Sequence, residues 1–137
     1  MFKKIILATI LLIAVVTVNA QQQHRVIVQI ASNDTIAWKG LMNNIKNLKS
    51  VWGDSVTIFV VAHGPGLDLL TKGKTNQLQN ISLYRKMGVT FNACEKSMEE
   101  RKVPKEMIIE DAGFVKMAVA EIVARQEQGW SYYKAGF

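Results

Sequence analysis

Cys94 combines a reactive side chain with a position suited to chemistry. It is the single cysteine among 137 residues, and it ends the apolar run 89–94, directly before the helix-favouring run 95–101. A thiol at the start of a helix faces unpaired backbone N–H groups and the positive end of the helix dipole, and both favour the nucleophilic thiolate. The spacing is equally compatible with a buried structural cysteine that behaves as a small hydrophobe.

A second polar motif, His63-Gly64-Pro65-Gly66, follows another apolar run. An imidazole at this point could give or take a proton for a ligand near Cys94, or it could hydrogen-bond only to the loop backbone. The two glycines permit positive φ values and the proline stiffens the turn, so the loop either presents N–H groups to an anion or forms an ordinary tight turn. We predict a pocket at this motif, with proton transfer as the candidate role of His63.

Several classes of active site are excluded by the residues that the sequence lacks. One cysteine permits neither an intramolecular disulfide nor a cysteine-rich zinc site. The sequence has no set of His, Asp and Glu residues with metal-ligand spacing, and it has no serine in a Gly-x-Ser-x-Gly elbow. We therefore predict no metal site and no organic cofactor, and a hydrolase triad has no support.

Strands and helices must alternate along the chain to position Cys94 and the His63 motif. Short apolar runs predict buried strands at 25–31, 56–62 and 89–94, a weak strand at 114–117 and an edge strand at 130–133. Apolar residues at steps of three and four predict helices between the strands. In the second helix the residues predicted to face inward are Leu78, Ile81 and Tyr84, and in the last helix they are Val119, Ile122 and Val123. The alternation requires crossover connections, so we predict an α/β fold with a mostly parallel sheet. In such a sheet ligands bind at the carboxyl ends of the strands, where both motifs fall.

The first twenty residues predict an export signal. Lys3 and Lys4 precede the apolar run 5–18, and Ala20 ends a segment that suits signal peptidase. The apolar run is shorter than the roughly 18 residues of a spanning helix, although an uncleaved membrane anchor is the alternative. We expect residues 1–20 to be a signal peptide and residues 21–137 to form a single α/β domain. The mature protein should then be periplasmic or secreted, without membrane association.

The charge of the chain argues against a nucleic-acid partner. The formal charge of +6 falls to +4 without residues 1–20, because two lysines and no acidic residue are lost. The remaining Lys and Arg residues are scattered and form no Arg-rich run, so nucleic-acid binding is not expected. The aromatic residues near the carboxyl terminus are many for the surface of a monomer, and they predict self-association: Trp130, Tyr132, Tyr133, Phe137.

Three segments together resemble the DsrE/DsrF-like (YchN-like) proteins, and more narrowly the exported branch of that family. The segments are 61–67 (VAHGPGL), 88–94 (GVTFNAC) and 126–132 (QEQGWSY), and residues 41–48 fit the pattern of the first helix. The resemblance covers nearly all of residues 24–134. It implies a DsrEFH-like three-layer α/β/α sandwich around about five mainly parallel strands. It also implies a homo-oligomer, commonly a trimer or a hexamer.

The resemblance implies a function for Cys94 as well. Intracellular relatives carry sulfane sulfur as a persulfide on a cysteine in a sulfur-relay system. Cys94 matches the cysteine in the Gly-Val-x-Phe-x-x-Cys pattern of the exported branch. We therefore expect an exported thiol-based sulfur (persulfide) carrier or redox protein, with Cys94 as the catalytic nucleophile and another protein as sulfur donor or acceptor. Such chemistry needs no cofactor. The alternative is a non-catalytic module that binds a small ligand or mediates oligomeric interaction, with Cys94 buried and structural.

Overall fold

Five parallel strands form one sheet in the computed structural model, which describes residues 22–136. The strands are β1 (His24–Ile30), β2 (Val56–Ala62), β3 (Thr90–Cys94), β4 (Ala112–Val115) and β5 (Ser131–Ala135). Their order in the sheet is β4-β3-β2-β1-β5, and each pair of neighbours is parallel. The predicted α/β class is confirmed. The predicted signal peptide lies outside the described residues.

Four α-helices connect the strands. They are α1 (Thr35–Trp52), α2 (Leu78–Lys86), α3 (Glu95–Arg101) and α4 (Ala118–Glu127), and three short 3-10 helices lie at 53–55, 64–70 and 105–107. Within residues 22–136, no helix has the length and apolar character needed to cross a membrane.

The longest helix, α1, begins and ends at residues whose types favour those positions. The Asp34 side chain accepts a hydrogen bond from the Ile36 N–H at 2.8 Å, which satisfies a donor of the first turn. Gly53 ends the helix with a φ of 53°, a conformation that glycine adopts without steric cost. Residue types that lie next to the helix in the sequence therefore account for both of its ends.

The two faces of the sheet are covered unequally. The larger apolar cluster packs one face against α1, the 3-10 helix at 64–70, α2 and α3, and its fully buried members include Val28, Val60, Leu41, Leu67 and Ile81. A smaller cluster lies on the other face, and within the described chain its helical residues all come from α4. The members of this cluster are Ile27, Val61, Cys94, Ala118 and Ile122. Cys94 therefore belongs to the thinly covered face.

The position of β4 differs from the predicted one. The strand spans Ala112–Val115, whereas the sequence predicts residues 114–117. Ala112 pairs with Phe91 of β3, and Met117 already serves as the N-cap of α4. The register with β3 decides where this strand begins, and the apolar run alone does not report that register.

Two helical faces were also predicted wrongly in part. Val119 and Val123 of α4 are 58% and 49% exposed, while Ile122 is buried as predicted. Helix α4 contacts the sheet along a narrow stripe that contains Ile122, so Val119 and Val123 lie outside this contact and remain exposed to solvent. In α2, Leu78 is exposed while the predicted core residues Ile81 and Tyr84 are buried, because the first turn extends beyond the edge of the core.

Candidate functional site

Cys94 and His63 leave neighbouring strands side by side at the carboxyl edge of the sheet. β2 and β3 pair through Ala62 and Ala93, and Cys94 and His63 each lie one position beyond that pair. Both residues have extended backbone, so strand alternation directs both side chains to the face that α4 covers. The structure thus brings the two predicted site residues to adjacent positions.

The Cys94 thiol receives a hydrogen bond from a helix other than the predicted one. The Ala118 N–H, at the first residue of α4, donates to Cys94 Sγ at 3.3 Å. Cys94 is also the N-cap of α3, but its side chain makes no capping hydrogen bond there. The start of α4 therefore provides the backbone donor that the sequence predicts at the start of α3. A backbone N–H at a helix start stabilises negative charge on the sulfur.

Apolar side chains enclose the sulfur. Cys94 is 3% exposed, and its cluster contains Ile27, Val61 and Ile122. The thiol therefore lies under the first turn of α4 and not on an open crevice wall. A reagent can therefore reach the sulfur only after the surrounding side chains separate.

The charged residues next to Cys94 pair with other side chains. Glu95 accepts a hydrogen bond from Lys105, with 2.7 Å between the atoms, and this bond lowers the pKa of the Glu95 carboxyl. Lys96 pairs with Glu99 at 3.1 Å. Glu95 is thus partly neutralised near the thiol, and Lys96 is held along the outer surface of α3.

The glycine loop after His63 uses its N–H groups within the protein. The Gly64 N–H donates to the Ser97 hydroxyl at 2.9 Å, and the Gly66 N–H donates to the His63 carbonyl at 2.9 Å. Pro65 has no N–H. The loop therefore forms a tight turn into a 3-10 helix and does not present N–H groups to an anion. Because Ser97 belongs to α3, the same bond holds the His63 loop against the helix that follows Cys94.

His63 ends a chain of hydrogen bonds across three strands. The Tyr132 hydroxyl of β5 donates to Gln29 Oε1 of β1 at 2.5 Å, and Gln29 Nε2 lies 2.6 Å from His63 Nε2. Burial lowers the pKa of His63, and the positive charge of Lys134 lowers it further. Both effects favour the neutral ring over the imidazolium.

Gln29 and Tyr132 were not among the predicted site residues. One signal in the sequence pointed to Gln29, because it interrupts the apolar run 25–31 with an amide. Tyr132 carried no such signal, because its relation to Gln29 depends on β5 lying beside β1. Among residues 22–136, no group of three or more His, Cys, Asp and Glu side chains is placed to hold a metal ion.

Comparisons with known proteins agree with this architecture. The model of the DsrE/DsrF-like family matches residues 26–134. A solved protein of unknown function from Methanobacterium thermoautotrophicum, MTH1491, superposes with a TM-score of 0.78 and 28% sequence identity, over 82% of this chain and 99% of that one. A search of curated proteins found no match.

Two further solved structures share the fold at lower identity. The conserved protein of unknown function BT1422 from Bacteroides thetaiotaomicron gives a TM-score of 0.63 at 17% identity, over 85% of this chain and 99% of that one. The ychN protein from E. coli gives 0.58 at 14%, over 84% of this chain and 99% of that one. The match to the family model begins within β1 and ends within β5, and it includes Cys94 and His63. The chain belongs to the DsrE/DsrF-like family.

Proposed function

We propose that this protein carries sulfane sulfur on Cys94. The observation that carries the proposal is the 3.3 Å hydrogen bond from the first N–H of α4 to Cys94 Sγ, at the sheet edge that His63 shares. A thiolate is the nucleophile in sulfur exchange, and a helix-start N–H stabilises it. Family membership supports the same role.

The transfer step needs only a thiolate and a persulfide or polysulfide donor, written R–S–SH. Cys94 Sγ attacks the terminal sulfur of the donor and forms a new S–S bond, while the S–S bond of the donor breaks. The electron pair leaves with R–S⁻, so no net oxidation occurs and no cofactor takes part. Because the chain has one cysteine, the thiol that later accepts the sulfur must belong to another molecule.

A non-catalytic role is the second candidate, and the burial of Cys94 favours it. A thiol that is 3% exposed in an apolar cluster can serve as packing alone. In that case the polar edge formed by Gln29, His63 and Tyr132 would bind a small ligand or a partner without covalent chemistry. The two candidates differ in whether Cys94 becomes accessible without global unfolding.

Alkylation of native Cys94 separates the two candidates. In the carrier, iodoacetamide should label Cys94 through local opening of α4, with an opening free energy well below the free energy of global unfolding. The labelling rate in the native state, divided by the rate in denaturant, reports this opening, and a urea titration reports global unfolding. Cys94→Ser supplies the blank. Equal free energies for opening and unfolding would support the non-catalytic module and contradict the carrier.

We also propose that the protein is exported and cleaved after Ala20. The basic, apolar and small-residue order of residues 1–20 supports this proposal. Amino-terminal sequencing of protein from the periplasmic fraction or the medium should start at Gln21. A cytoplasmic chain that starts at Met1 would contradict it.

Self-association, as a trimer or hexamer, is part of the proposal. Val119 and Val123, one helical turn apart, leave an apolar strip on the outer side of α4, with exposures of 58% and 49%. Contact with symmetry-related copies would remove this strip from water. Light scattering should give a mass of several chains for the wild type and a smaller mass for Val119→Lys/Val123→Lys. Val51→Lys, on an exposed apolar position of α1, is the matched control and should leave the mass unchanged. A wild-type monomer at high concentration contradicts the assembly.

A further inference from the structure

The hydrogen-bond chain at the sheet edge specifies where His63 carries its proton. Tyr132 donates to Gln29 Oε1, which leaves the amide nitrogen of Gln29 directed at His63 Nε2, 2.6 Å away. An amide nitrogen donates and does not accept, so His63 Nε2 must accept and therefore carries no proton. The proton of a neutral ring then resides on Nδ1.

The surroundings of His63 oppose its positive form. An imidazolium would direct an N–H of Nε2 at the N–H of Gln29, so two donors would meet. Burial lowers the pKa of His63, and the positive charge of Lys134 on β5 lowers it further. Tyr132 and the Cys94 thiol are the neighbouring titratable groups on β5 and β3. From α4, Glu121 and Arg125 pair with each other at 2.6 Å, over the ring of Phe59.

His63 Nδ1 remains available for a ligand. Within the described chain, its ring forms a hydrogen bond through Nε2 only. His63 and Cys94 leave adjacent strands on one face. An N–H on Nδ1 of His63 is therefore a donor at this edge that forms no hydrogen bond within the described chain. A perthiolate sulfur on Cys94 is an anionic acceptor of the kind that such a donor stabilises.

We propose that Gln29 and Tyr132 are positioning residues that hold His63 neutral and protonated on Nδ1, so that the sheet edge offers one N–H to a ligand at Cys94. The tautomer follows from the orientation of the Gln29 amide, with Oε1 toward Tyr132 and Nε2 toward His63. The identity of the ligand as a Cys94 perthiolate rests on the proposed sulfur-carrier function.

Nitrogen-15 NMR of the two histidine rings tests the tautomer directly. The full chain contains only His24 and His63, so the variant His24→Gln assigns the His63 signals without ambiguity. For the wild type we expect the Nδ1-protonated form as the major species at neutral pH, with a His63 pKa below the ordinary histidine value. A ring protonated mainly on Nε2 overturns the proposal.

Substitution of Gln29 by glutamate should reverse which ring nitrogen of His63 carries the proton. Gln29→Glu places a carboxylate, which only accepts, against Nε2, so the proton should move to Nε2 and the pKa of His63 should rise by about 1 or more relative to wild type. Tyr132→Phe removes the bond that orients the amide and should yield a mixture of tautomers. Circular dichroism confirms that each variant is folded. An unchanged ring spectrum in Gln29→Glu contradicts the positioning role.

The measurement is independent of sulfur transfer because it uses protein that carries no added sulfur. If Cys94 takes up no sulfur, the perthiolate is not the ligand of His63, but the proposed tautomer of His63 still stands. A wrong tautomer would overturn the positioning role even in a protein whose Cys94 takes up sulfur.

Discussion

Gly66→Ala is expected to destabilise the protein by about 3 kcal/mol or more, the upper range for an overpacked site. A Cβ atom at Gly66 would lie 2.2 Å from the carbonyl oxygen of Ile30 and 2.7 Å from its carbon. Both are backbone atoms of β1 and cannot rotate away. Since native domains are stable by only about 5–15 kcal/mol, this loss is large, and it should lower the midpoint of urea unfolding strongly.

The same substitution should disturb the candidate site. The Ile30 carbonyl accepts the His63 N–H at 3.1 Å, so displacement of Ile30 breaks the bond that ties the His63 loop to β1. Gly40→Ala is the matched control, because Gly40 lies inside α1 and an added Cβ there meets no atom within 4 Å. It should stabilise the protein by about 0.5–1 kcal/mol, since alanine favours a helix over glycine. A Gly66→Ala variant as stable as wild type would contradict the close approach of Gly66 to the Ile30 backbone.

Cys94→Ser should abolish sulfur uptake completely while the protein stays folded. Serine replaces the thiol by a hydroxyl of similar shape that can still accept the Ala118 N–H, but the hydroxyl does not form a persulfide. Intact-mass analysis after treatment with a persulfide donor reports the uptake, and thermal unfolding reports the fold. Sulfur uptake that persists in the serine variant would show that another group, and not Cys94, holds the sulfur.

Local patterns in the sequence were sufficient to predict most of the elements. β1 and β2 are continuous apolar runs, and α1 has apolar residues at helical spacing between the capping residue Asp34 and Gly53. Gly88 and Gly129, with φ values of 84° and 83°, follow the ends of α2 and α4. These features depend on residues close together in the chain, where periodicity and capping are visible.

Contacts between distant residues could not be predicted in the same way. The bond from Ala118 to Cys94 joins residues 24 positions apart, and Tyr132 reaches Gln29 over 103 positions. Each depends on strand order, and β5 lies beside β1 although β4 precedes it in the chain. Alternation along a strand identifies which residues share a face, but it does not identify the neighbouring strand. The burial of Cys94 depends likewise on where α4 crosses the sheet.

Intact-mass analysis of the native wild-type protein, exposed to a sulfane-sulfur donor, tests the central claim most directly. The sulfur-carrier function predicts a gain of one sulfur atom per chain, confined by peptide mapping to Cys94 and removed by a thiol reductant. The denatured protein, treated in the same way, shows that the donor reacts with an accessible thiol. A native protein that gains no sulfur, under conditions in which the denatured chain does, would contradict the claim and leave Cys94 as a structural residue.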